Sequence, residues 1–124
     1  MNAKSEELII ISKAFDLARE MTRRTQKLPR DLKFVLGDRM LTTTYDVLDL
    51  LIEAKYSGQK RLILAKANLA LERLRFQVRL CAEEKLISLK QYEFIANLVN
   101  EIGRMLGGWL KHVSAGGRSE PPAG

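Results

Sequence analysis

Residues 59–85 read QKRLILAKANLALERLRFQVRLCAEEK, without proline or glycine and dominated by Leu, Ala, Arg, Glu and Lys. That composition predicts one long helix over residues 59–85. At about 100° per residue, Ile63, Ala67, Ala70, Leu74, Val78 and Cys81 share a face, widened by Leu64, Leu71 and Ala82. A second apolar row, Leu62, Leu69, Phe76 and Leu80, runs along the far side within about 40° of arc. Lys66, Arg73, Gln77 and Glu84 border this seam on one edge, and Arg61, Asn68, Glu72, Arg75, Arg79 and Glu83 on the other. A helix with two apolar faces needs two partners. The wide face is expected to meet the rest of the chain, and the seam a second copy of it.

Working outward, residues 29–56 predict the preceding helix, with Phe34, Leu36, Met40, Leu41, Tyr45, Val47, Leu48, Leu51 and Ile52 on a broad apolar face. Asp38, Thr42, Asp46, Asp49 and Glu53 form its polar face. Gly37 falls on the apolar side, the place for close approach by a neighbouring helix. Ser57-Gly58 is the stop signal. Residues 5–26 predict the first helix, capped at Ser5, with Ile10, Ile11, Ala14, Leu17, Ala18 and Met21 inward. It must end before Pro29, because the residue ahead of a proline is pushed out of the α region. Residues 89–112 predict the fourth helix, opened by Ser88 and Gln91 at capping-box spacing. Residues 114–124, SAGGRSEPPAG, are expected to be disordered, leaving residues 1–113 as the folded domain.

Four amphipathic helices joined by such short connections pack as antiparallel neighbours, so the fold class is all-α, an up-down-up-down four-helix bundle. A chain of 124 residues, 46% apolar and 29% charged, fills one such domain. A single cysteine forms no internal disulfide, and neither a signal peptide nor a membrane span is read, which predicts a cytoplasmic protein.

The search for catalytic chemistry comes back empty. His112 is the sole histidine, placed at a helix end, and Cys81 falls on the core face. One histidine cannot furnish the Glu-x-x-His pairs of a di-iron bundle, and no phosphate-binding loop is present. The row Asp38, Asp46, Asp49, Glu53 reads as a solvated face or a partner for basic residues rather than a metal site. The expectation is a protein that is not an enzyme and carries no cofactor or metal.

Positive charge is the stronger lead. The net charge of +6 is concentrated: Arg23, Arg24, Lys27, Arg30 and Lys33 meet only Asp31 around the first turn. The third helix carries Lys60, Arg61, Lys66, Arg73, Arg75, Arg79 and Lys85 against Glu72, Glu83 and Glu84. Cations held on rigid helices engage phosphates without reading bases. Arg23, Arg24, Lys27, Arg30, Lys33, Lys66, Arg73, Arg75 and Arg79 are therefore the candidate nucleic-acid or protein-partner site. Leu62, Leu69, Phe76 and Leu80 are the candidate oligomer interface. The alternative for Arg75 and Arg79 is pairing with Glu72 and Glu83 at helical spacing.

Three stretches carry a resemblance: LPRDLKFVLGDRM (28–40), YDVLDLLIEAKYS (45–57) and LISLKQYEFIANLVNEIGRMLGGWLK (86–111). Together they resemble the Avd family, the accessory variability proteins of diversity-generating retroelements. That family is related to four-helix-bundle proteins encoded within ribosomal-RNA intervening sequences. The resemblance implies a bundle assembling into a homopentameric barrel, and binding to nucleic acid and to the retroelement's reverse transcriptase in support of mutagenic cDNA synthesis. It implies no catalysis by the chain itself. The other reading is an oligomeric bundle of the intervening-sequence type, acting as a structural or protein-interaction module.

Overall fold

The structure, a computed structural model, describes residues 3–115. Four helical segments carry it: α1 (Ala3–Thr25), α2 (Arg30–Leu32, Lys33–Gly37 and Asp38–Tyr56 in succession), α3 (Lys60–Glu83) and α4 (Leu89–Ala115). α1 packs on α2 and α4, and α3 packs on the same two, so the helices form a four-sided bundle around one core. Short connections make consecutive helices antiparallel. The expected tail begins later than the sequence indicated, since α4 continues through Ser114 and Ala115; residues 116–124 lie outside the described residues.

The wide face of α3 forms the centre of the core. Leu64, Ala67, Leu71, Leu74 and Cys81 are completely buried, with Ile63, Ala70 and Val78 close behind, and Ala82 is half-buried at the edge. Leu17 of α1, Val47 and Leu51 of α2, and Ile102 and Leu106 of α4 meet them. Burying each such side chain contributes about 1.5–3 kcal/mol, which is why packing rather than propensity holds these helices.

α1 begins at Ala3, so Ser5 sits inside its first turn and not at a cap. Its C-terminus is closed by Lys27 N–H donating to Arg24 O (3.1 Å), by the Thr25 hydroxyl donating to Thr22 O (3.3 Å), and by Leu28, which is buried in the connection. α2 departs most from expectation. Residues 33–37 form a π-helical turn, which shifts the helical phase between Arg30 and Asp38. Gly37 is buried there; a Cβ would lie 3.3 Å from Leu28 Cδ1 and 3.5 Å from Thr25 Cβ. The close approach expected at Gly37 thus comes from the end of α1 and the connection after it.

The buried stripe of α2 is narrower than the broad face drawn from the sequence. Met40, Thr43, Thr44, Val47, Leu51 and Ala54 are buried, whereas Phe34, Tyr45 and Ile52 are exposed. Thr43 and Thr44 enter the core because each hydroxyl donates to the carbonyl four residues back, Arg39 O (2.9 Å) and Met40 O (2.8 Å).

Two helix ends have a specific mechanism. α3 closes at Glu83, two residues earlier than expected, with Lys85 in the left-handed region at φ 61°. Lys85 N–H donates to Ala82 O (3.0 Å) and Leu86 N–H to Cys81 O (2.9 Å), the Schellman pattern usually built on glycine. The capping box of α4 is present in full. Ser88 N–H donates to Gln91 Oε1 (2.9 Å), and Gln91 N–H to Ser88 Oγ (3.0 Å).

Candidate nucleic-acid interface

Antiparallel packing brings the α1–α2 and α3–α4 connections to one end of the bundle. Met21, Arg24 and Leu28 line a small crevice there together with Val78, Cys81, Ile87 and Ile95. Around it stand Arg23, Lys27 and Arg30, all exposed, and half-buried Lys33. None of these four forms an ion pair among the described residues. Arg24 differs: its Nε donates to Glu20 Oε2 one turn earlier. Two cations missing from the sequence-derived set, Lys85 and Lys90, belong to the same end, exposed and likewise unpaired. Topology was the signal for them, because an up-down bundle must bring both connections together.

The other candidates are placed differently. Lys66 and Arg73 line a groove between α3 and α2, and Asp46 and Asp49 line it from the other side. The groove continues past Arg73 to Arg39, Asp38 and Gln77. Three cations facing three carboxylates leave no net field to attract a polyanion. Asp38, Asp46 and Asp49 of the α2 row thus share this groove with Arg39, Lys66 and Arg73, without a direct ion pair among the described residues.

Arg75 is a clasp between helices. It pairs with Glu72, and its Nε donates to Asn100 Oδ1 of α4 (3.4 Å). Its guanidinium lies across Gly103, where a Cβ would sit 2.5 Å from Nη2. Arg79 donates to Glu83 Oε2 (2.9 Å), and this hydrogen bond raises the guanidinium above its ordinary pKa. Such exposed pairs contribute only about 0.2–1 kcal/mol to stability. Their effect on recognition is larger, because each pair presents a dipole in place of a free charge. Lys60 is engaged as well, its Nζ donating to Ala54 O (2.7 Å) and Lys55 O (3.0 Å) at the end of α2.

Among the described residues, no group of three or more His, Cys, Asp or Glu could hold a metal. Burial pushes the Cys81 thiol up, so at neutral pH it stays protonated and poorly nucleophilic. No helix is long and apolar enough to cross a membrane among the described residues.

A family described as bAvd-like has a model that matches residues 8–113, which is most of the chain and includes all three stretches that resemble Avd proteins. The chain belongs to the bAvd-like family. The fold has a solved counterpart in a protein of unknown function from the S23 ribosomal protein family of Bacteroides thetaiotaomicron. The two superpose with a TM-score of 0.80 at 19% identity, over 86% of this chain and 98% of that one. No curated protein matches the chain.

On this bAvd-like bundle the apolar seam of α3 is open. Leu62, Leu69, Phe76 and Leu80 are 49–64% exposed on the single chain, with Leu69 at the edge of the groove toward α2. α1 and α2 add Leu8, Phe15, Tyr45 and Ile52 as further exposed apolar side chains, beyond the single seam expected from the sequence.

Proposed function

We propose that this chain is a non-catalytic, cytoplasmic accessory subunit of a diversity-generating retroelement. It binds RNA or DNA with little regard to sequence, binds the reverse transcriptase, and so supports mutagenic cDNA synthesis. The observation that carries the reading is the set of unpaired cations at one end of the bundle: Arg23, Lys27, Arg30, Lys33, Lys85 and Lys90. Rigid helix ends and short connections hold them, so they engage phosphates as a preformed surface and release condensed counterions. Contacts of this kind position a strand and leave its sequence to other components. The α3 seam joins copies of the chain, five in the reading taken from the family, and assembly multiplies the basic ends available to one strand.

The test is a mobility-shift titration against salt. Six phosphate contacts predict a slope of log K on log salt of about −5 for duplex DNA, a loss of about a thousandfold from 50 to 200 mM. Absence of any RNA or DNA binding at low salt overturns the reading. The exposed α3 seam favours a second one, an interaction module of the intervening-sequence type whose charge only aids solubility. That reading requires assembly without salt-sensitive nucleic-acid binding.

A further inference from the structure

The π turn at residues 33–37 presents an aromatic ring in the middle of the basic end. Phe34 is 66% exposed and Val35 69% exposed, although the rest of the helix buries a stripe that begins at Met40, Thr43 and Thr44. Val35 lines the groove toward α3 beside Arg39 and Gln77. Phe34 stands between Arg30, one turn before it, and Lys33, its neighbour in the chain, with Lys27 in the connection just upstream. Asp31 and Asp38 are the carboxylates of this segment, against six basic side chains from Arg23 to Arg39.

A large apolar side chain held in water beside unpaired cations suits an occupant that is both flat and anionic. A second copy docking through this same face does not fit. Contact through this face would set Lys27, Arg30 and Lys33 against the same residues of the copy. The α3 seam suits self-association better, because Glu72 and Glu83 pair with its flanking arginines. A strand with unpaired bases meets both requirements, since every base has a π-face and every link a phosphate.

Resting on the nucleic-acid reading above, we infer that Phe34 is a stacking platform for a base of single-stranded RNA or DNA. Lys27, Arg30 and Lys33 hold the phosphates on either side of that base. The inference gives the bound form a preference for exposed bases over closed duplex, without base-edge readout.

The experiment compares a 20-nucleotide single strand with its duplex, using the full chain and its Phe34→Ala variant. The expected result is tighter binding to the single strand, and about tenfold loss of that affinity in Phe34→Ala, with duplex affinity and salt slope unchanged. Phe34→Trp restores single-strand affinity, and its added indole fluorescence is quenched on binding, above the constant signal of buried Trp109. Thermal melting of both variants should match the parent, since Phe34 packs little. Unchanged single-strand affinity in Phe34→Ala overturns the inference while leaving phosphate binding intact. A lighter oligomer from the same variant also overturns it, by assigning Phe34 to self-association. Absence of binding to either probe overturns this inference and the reading beneath it together.

Discussion

The basic end of the bundle and the outer face of α3 carry similar amounts of positive charge in sequence and differ in what that charge can do. At the end of the bundle, Arg23, Lys27, Arg30 and Lys33 form no ion pair among the described residues. On α3, Arg75 and Arg79 pair with Glu72 and Glu83, while Arg73 and Lys66 share a groove with Asp46 and Asp49. The difference follows from spacing. Carboxylates three or four residues away on one helix neutralise a cation locally, whereas a turn with a single Asp31 does not. Net charge therefore misleads as a guide to binding unless pairing is known. On the proposed reading, one region meets a polyanion and the other lets an apolar seam meet a further copy of the chain.

The contrast can be broken most forcefully at its basic side. Lys27→Glu with Arg30→Glu changes the local charge by four units, and nucleic-acid affinity is expected to fall about a hundredfold or more near 0.15 M salt in a mobility-shift assay. The same reversal at Lys66 and Arg73 should cost less than about tenfold, because those cations already face carboxylates. Equal losses would erase the distinction between the two regions.

Much of the fold is legible in the sequence because it depends on periodicity and on local capping. The buried face of α3 follows the helical period, and the Ser88–Gln91 box is a three-residue pattern. The π turn is not legible, since no sequence period marks it; it ends at Gly37, whose fit against Leu28 and Thr25 is a tertiary fact. For the same reason the periodicity draws the face of α2 too wide and places Phe34 on it. At the site, the charged residue types are readable but their engagement is not. Lys60 capping α2 and Arg75 lying over Gly103 are tertiary facts with no sequence period. Lys85 and Lys90 come within reach once the topology is drawn.

The α3 side is sharpened by Leu69→Asp with Phe76→Asp. Both side chains are more than half exposed, so the bundle should stay folded while light scattering shows a shift to monomer. Nucleic-acid affinity should drop only by the avidity that assembly supplies. An unchanged assembly would show that the seam is not the surface that joins copies.

Smaller effects probe the helix ends that hold each region in place. Ser88→Ala removes the hydroxyl that accepts the Gln91 N–H and should cost about 1 kcal/mol in denaturant unfolding. Lys85→Gly relieves the left-handed φ of 61° and should stabilise the fold by about 0.5–1 kcal/mol. Removing its ammonium should also make the salt slope for a single strand shallower by about 0.7. A destabilised Lys85→Gly variant would contradict the Schellman closure assigned to α3.

The central claim, that unpaired and paired cations play different parts, is tested most directly by salt slopes. Slopes of log K against log salt are measured for single-stranded RNA with the parent chain, Lys27→Ala/Arg30→Ala and Arg75→Ala/Arg79→Ala. The account predicts a slope shallower by about 1.4 for the first pair and unchanged within about 0.3 for the second. Equal changes in both pairs, or a larger change in the second, would contradict it.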